Sequence, residues 1–258
     1  MTEAEWLVCG DPFHMLCHLQ EGGTLGACWG SRKARLFAVA CCRRVLAFLP
    51  DDRHREAVEL SARFADGQAS ASDLEELSES LWAFYGVPPG AGYLIQPAEM
   101  CYLLSYWPLA ADWMDACTGA EQAVMLVGHV HRTGQVLRSD VWFANDKWWE
   151  SEAEAARTAE RFAQASVIRD IFGNPFRPSS SLSPAVLAWN DGTVRRIAEG
   201  IYQDRQMPEG TLDNSRLLIL ADALLDAGCE DEALMEHCRS EGPHVRGCWA
   251  IDTILGKG

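Results

Sequence analysis

Apolar residues in this chain return at three- and four-residue steps, segment after segment, and that period is the face of an α-helix. Val194, Ile197, Ala198, Ile201 and Tyr202 are one such set, and Leu217, Leu220, Ala221, Leu224 and Leu225 are the next. Phe37, Ala38, Cys41, Val45 and Phe48 form another, followed by Ala57, Val58, Ala62 and Ala65. A longer stripe runs through Ala156, Ala159, Ala163, Val167 and Ile171. Helix-breaking residues separate the sets: Pro50, Gly67, Gly173-Asn174-Pro175, Gly228 and Gly242-Pro243. Short helices with polar breaks must bury their stripes against one another, so the expected fold is all-α. The expected arrangement is an irregular multi-helix array.

Helix starts are equally legible. Asp11-Pro12, Ser31, Asp51, Asp73, Ser151-Glu152-Ala153-Glu154, Asp213 and Glu230 open helices, and a final helix is predicted over His244 to Leu255. Leu217 to Leu234 resembles a tetratricopeptide-like hairpin, but no period of about 34 residues precedes it, so no regular repeat is predicted. The chain reads as a single helical domain over residues 1–258. Gly86-Val87-Pro88-Pro89-Gly90 is the strongest internal break, which would subdivide it into 1–86, an aromatic-rich 87–150 and 151–258.

Charge narrows the partners. Twenty-two Lys and Arg against 37 Asp and Glu leave a formal charge of −15. Such a surface repels phosphate backbones and anionic headgroups, which excludes nucleic acid and membrane and favours a basic protein partner. Ten cysteines in a chain that is 48% hydrophobic do not suggest a disulfide scaffold, because core burial suffices without one. The acidic start Met-Thr-Glu-Ala-Glu-Trp predicts neither a signal peptide nor a spanning helix, and hence a cytoplasmic protein with reduced thiols.

The chemistry-bearing residues gather near the C-terminus, from His237 to Trp249: His237, Cys238, Arg239, His244, Arg246, Cys248 and Trp249. Two imidazoles and two thiolates suit tetrahedral zinc, so Cys238, His244, Cys248 and His237 are candidate ligands. The spacing matches no standard finger, and Cys41 or Cys42 would join only by tertiary contact. The exit of the long helix, Arg169 to Pro178, crowds Asp170, Asn174 and Arg177 around a bend, and with Arg246 these form a candidate polar pocket. A thiol nucleophile is the other reading, with Cys248 or Cys238 beside His244, though no residue that would orient the base can be identified. Against both stands plain packing, with the cysteines and Trp249 filling space between helices while the histidines and arginines cap carbonyls. His14 and His18 lie four apart on a helix and His129 and His131 two apart, but neither pair has a third ligand nearby. There is no Gly-rich phosphate loop, His-Glu-x-x-His, Gly-x-Ser-x-Gly or Cys-x-x-Cys.

Several blocks are distinctive: Trp6-Leu7-x-Cys9-x-Asp11-Pro12, Arg35-Leu36-Phe37-Ala38-x-Ala40-Cys41-Cys42-Arg43-Arg44, Arg63-Phe64-Ala65-Asp66-Gly67, Arg169 to Pro178 and His237 to Trp249. With these the chain resembles an uncharacterised paralogous family of planctomycete-type bacteria along nearly its whole length, apart from about Gly86 to Trp149. The resemblance implies a cytoplasmic bacterial protein and no particular chemistry. On residues alone the leading expectation is a non-enzymatic protein-interaction or adaptor module. A zinc-stabilised helical protein is the alternative, and a Cys-dependent enzyme ranks below both.

Overall fold

Alternating capping residues and apolar stripes produce the helices that they predict. The computed structural model describes residues 1–21, 31–48, 52–85, 151–177 and 181–257. Among these the elements are α1 (Glu3–Val8), α2 (Pro12–Glu21), α3 (Ser31–Val45) with a 3₁₀ turn (Leu46–Phe48), α4 (Asp52–Ala65), α5 (Ala71–Tyr85) and α6 (Ser151–Phe172). Then follow α7 (Pro184–Gln203), α8 (Asn214–Asp226), α9 (Glu232–Arg239) and α10 (Trp249–Leu255). Among the described residues there is no strand, only isolated bridges pairing Thr211 with Gln206 and with Val245. The fold is an all-α irregular array. No described helix is long and apolar enough to cross a membrane. The aromatic-rich segment 87–150, with the His129/His131 pair, lies outside the described residues.

The chain divides within α6 into two compact units, Cys9–Ala165 and Met1–Val8 with Ser166–Gly258. In the first, α3 is buried from Ala34 to Arg43, so Cys41 and Cys42 are both enclosed although they point in different directions. Burial pushes the Cys42 thiol up to about 12, despite the pull of neighbouring Arg43, which makes it an inert filler. Two cations near the end of this helix are paired: Arg43 with Glu59, and Arg44 with Glu160 at 2.8 Å. Gln164 adds a hydrogen bond to Glu160 at 3.2 Å. These pairs turn the buried face of α6 toward Arg157, Glu160 and Gln164. Ala159, predicted on the buried stripe, is therefore exposed. An ion pair that satisfies its own hydrogen bonds tolerates burial, and a stripe drawn from apolar residues alone misses it.

The second unit holds the site. Its core joins Val194, Ala198 and Ile201 of α7, Leu217, Leu220, Ala221 and Leu224 of α8, Leu234, Met235 and Cys238 of α9, and Ala250, Ile251 and Ile254 of α10. Side-chain caps start these helices. Ser183 accepts from the Val186 N–H at 3.3 Å, Asp213 from Ser215 at 2.8 Å and Asp231 from Leu234 at 3.0 Å. Asn190-Asp191-Gly192 interrupts α7 with positive φ at all three residues. Leu225, expected inside, is 55% exposed, because α8 turns Leu224 rather than its neighbour to the core.

α1 belongs to this unit through the exit of α6. The Arg169 guanidinium donates two hydrogen bonds to the Trp6 carbonyl, at 3.0 and 2.8 Å, and Trp6 is 1% exposed. Glu3 accepts from Asn174 at 2.8 Å and pairs with Arg177 at 2.6 Å.

Leu220→Ala should cost about 2–5 kcal/mol in denaturant unfolding, since the residue is fully enclosed. Leu218→Ala, on the outer side of the same helix and 47% exposed, should change stability by no more than about 0.5 kcal/mol.

Candidate metal centre

Three elements end or begin at one point. α6 is stopped by Gly173, whose φ of +70° sets the left-handed exit and whose N–H returns to the Arg169 carbonyl at 2.9 Å. Asp170 is thereby held in the last turn, where the negative end of the helix disfavours a carboxylate. It is also 3% exposed. Something must offset both penalties, and three groups do.

The Val245 N–H donates to Asp170 Oδ2 at 2.8 Å. His237 Nε2 lies 3.1 Å and His244 Nδ1 2.9 Å from Asp170 Oδ1. Cys248 Sγ closes the group at 3.2 Å from His237 Nε2 and 4.0 Å from His244 Nδ1. One ligand atom from each of Asp170, His237, His244 and Cys248 lies within 4.8 Å of every other, and together they could hold a metal ion.

The chain path differs here from the expected one. The predicted last helix over His244 to Leu255 begins only at Trp249, and residues 240–248 form a loop. Pro243 biases Gly242 away from helical dihedrals, which separates this loop from α9. The loop is tied down by the Leu212 N–H, which donates to the His244 carbonyl at 2.8 Å, and by the Thr211–Val245 bridge. A turn through Gly247, with φ +94°, then brings Cys248 to the start of α10. His244 and Cys248 thus converge through a loop rather than along one helix face.

The outer contacts set the protonation. His244 Nε2 faces the Ser240 carbonyl at 3.1 Å, with the Ser240 hydroxyl at 3.2 Å. A carbonyl only accepts, so Nε2 carries the proton and Nδ1 offers a lone pair to the centre. Nδ1 and the carboxylate oxygen then face each other at 2.9 Å, and they need a shared cation, either a proton or a metal. Burial opposes charge on His244, yet the bond to Asp170, its negative charge and the Ser240 contact raise the pKa above 6.5. Asp170 is likewise desolvated, but the hydrogen bonds from His237 and His244 and their charge lower its pKa below 3.8. Burial and then the Asp170 charge drive the Cys248 thiol well above 9.0, against the opposing pull of the Ile251 and Ala250 N–H groups.

Of the residues singled out in the sequence, His237, His244 and Cys248 meet, and Asp170 joins them from the expected polar pocket. Cys238 lies outside this group, within the apolar core, with its thiol pushed up to about 12 by burial and then by the Asp170 charge. Cys41 and Cys42 belong to α3 in the other unit. Asn174 and Arg177 turn to Glu3, and the Arg246 guanidinium lies 5.1 Å from the centre of the Tyr202 ring. Among the described residues His14 and His18 form no ligand group. The signal that would have assigned Asp170 to the ligand set is local: an acid at the disfavoured end of a helix, with no basic neighbour in the last turn other than Arg169.

The arrangement is not a thiol–imidazole–carboxylate relay. In a relay, one ring nitrogen faces the nucleophile and the other faces the acid. Here each ring turns a single nitrogen toward both Cys248 and Asp170. The thiol is moreover fully buried, and its pKa is raised where activation requires the reverse. No family model matches the chain, and no curated protein or solved structure matches it.

In metal-free protein the sign of the pH dependence follows from these shifts. The raised His244 contributes stability that is complete below 6.5 and is lost as pH rises through its folded value. The lowered Asp170 contributes stability present above 3.8 and lost as pH falls through its folded value. With chelator present, the melting temperature should therefore be highest between these limits. Asp170→Asn should flatten its decline on the alkaline side, and an unchanged decline would contradict the assigned pairing.

Proposed function

We propose that this protein is a zinc-stapled helical module, in which Asp170, His237, His244 and Cys248 bind one structural zinc ion. The observation that carries the reading is the convergence of one nitrogen from each imidazole on the point shared by the carboxylate and the thiol. Tetrahedral zinc with bonds of about 2.0–2.3 Å sets its ligand atoms roughly 3.3–3.6 Å apart. The separations here, from 2.9 to 4.8 Å, bracket that range. A thiolate among the ligands disfavours magnesium, calcium and manganese, and two imidazoles with a carboxylate complete a set that suits zinc. Four protein ligands fill a tetrahedral shell and leave no open position for substrate, which makes the role structural.

Metal bound only by the folded chain stabilises it by mass action, by about 2.7 kcal/mol when free zinc is 100 times its dissociation constant. The ion would join the end of α6 to α9 and to the loop before α10, beside a core that the helices already share. Elemental analysis of full-length protein should find about one zinc per chain. Cys248→Ser and His244→Ala should lose most of it, while Cys238→Ser and Cys41→Ser keep it. Zinc absent even after loading and dialysis, or lost equally in Cys238→Ser, would refute the reading.

An interaction role for the same module is favoured by Leu218, Ile219 and Leu225, exposed on the outer side of α8 beside Asp222 and Asp226. Such a surface suits a basic protein partner. Leu218→Ser/Leu225→Ser should leave zinc content and stability unchanged while weakening the retention of basic proteins. Equal retention would end that role.

A further inference from the structure

We propose that the zinc ion exchanges past His237, and that Trp249 is the positioning residue that governs the rate. This rests on the zinc reading above.

The four ligands are not equally held. Asp170 is anchored through its second oxygen by the Val245 N–H, and His244 through its second nitrogen by Ser240. Cys248 is fully buried at the start of α10. The side chain of His237 is 17% exposed, against 3% for Asp170 and 1% for His244. Its ring hydrogen bonds among the described residues all lie at Nε2, on the side of the ion. Ring packing must therefore hold its orientation.

Two rings do so. His244 meets His237 edge to face, with centroids 4.8 Å apart, and Trp249 lies against it at 5.0 Å with an interplanar angle of 49°. His244 is itself a ligand, so Trp249 is the support from outside the coordination shell. It is wedged in turn by Gly173, where an added Cβ would stand 3.2 Å from Trp249 Cγ. The same glycine that ends α6 behind Asp170 thus leaves room for the indole that steadies His237. Release of the ion begins with one ligand letting go, and the ligand with an exposed edge and no second hydrogen-bonded anchor is His237. Hydrogen-bonded outer-shell partners are worth roughly 10- to 100-fold in metal affinity, which sets the scale for a ring that takes their place in orienting His237.

The test loads full-length protein with zinc, adds excess chromogenic chelator and follows release by absorbance. Trp249→Ala should release zinc about tenfold faster or more, at the scale of outer-shell changes. Trp249→Phe, which keeps a ring against His237, should stay near wild type. Trp189→Phe, a partly buried core tryptophan remote in sequence from the ligands, should match wild type. Equal release by Trp249→Ala and wild type, each holding one zinc, overturns the proposal and leaves the zinc site standing. If Trp249→Ala fails to fold by circular dichroism, Trp249→Leu decides, because it fills the space without setting a ring against His237: faster release supports the proposal and an unchanged rate overturns it. A wild-type chain that binds no zinc removes both readings together.

Discussion

A carboxylate buried at the negative end of a helix is the constraint around which the C-terminal unit is built. Asp170 is disfavoured twice, by desolvation and by the α6 carbonyls, and left alone it would cost several kcal/mol. The unit answers with an amide and two imidazoles, delivered by two local devices. α9 supplies His237 from its last turn, where a basic group complements the helix end. The loop tied to Leu212 supplies His244 and the Val245 amide together, one residue apart.

The centre adjoins the core, and Cys248 belongs to both. Helices α7 to α10 share one apolar cluster that includes Cys238 and the buried stripes of α8 and α9. The ligand group gathers where α6, the 240–248 loop and α10 meet. An ion there would stitch the exit of α6 to helices that already cohere. The neighbouring residues of that exit face the other way. Arg169 holds the Trp6 carbonyl, and Asn174 and Arg177 hold Glu3, so that one short block secures α1 and presents Asp170.

The legible parts of the fold were those governed by nearest neighbours. The cap at Asp213 and the stops at Gly173 and Gly228 read directly, because a cap is a hydrogen bond over two or three residues, whereas the caps at Ser183 and Asp231 emerged only in the structure. The stripes read well where burial is apolar and poorly where it is ionic. Ala159 falls outside because Glu160 binds Arg44 from a distant part of the chain, and no periodicity encodes that. The start of α10 was misplaced for a related reason: the His244 carbonyl is taken by Leu212, which lies far from it in sequence.

The candidate centre shows the same division. The crowding of His237, His244 and Cys248 was visible in the sequence, since soft and titratable groups so close together are conspicuous wherever they fold. Residue order alone also determined that the chain is helical, acidic and cut by glycine and proline into short rods. Only tertiary structure chose among the cysteines, sending Cys238 into the apolar core and Cys248 to the imidazoles, and only it added Asp170. The reason is physical. Helix formation is a matter of local dihedrals and hydrogen bonds, whereas a ligand set depends on which way each side chain points after distant segments have packed.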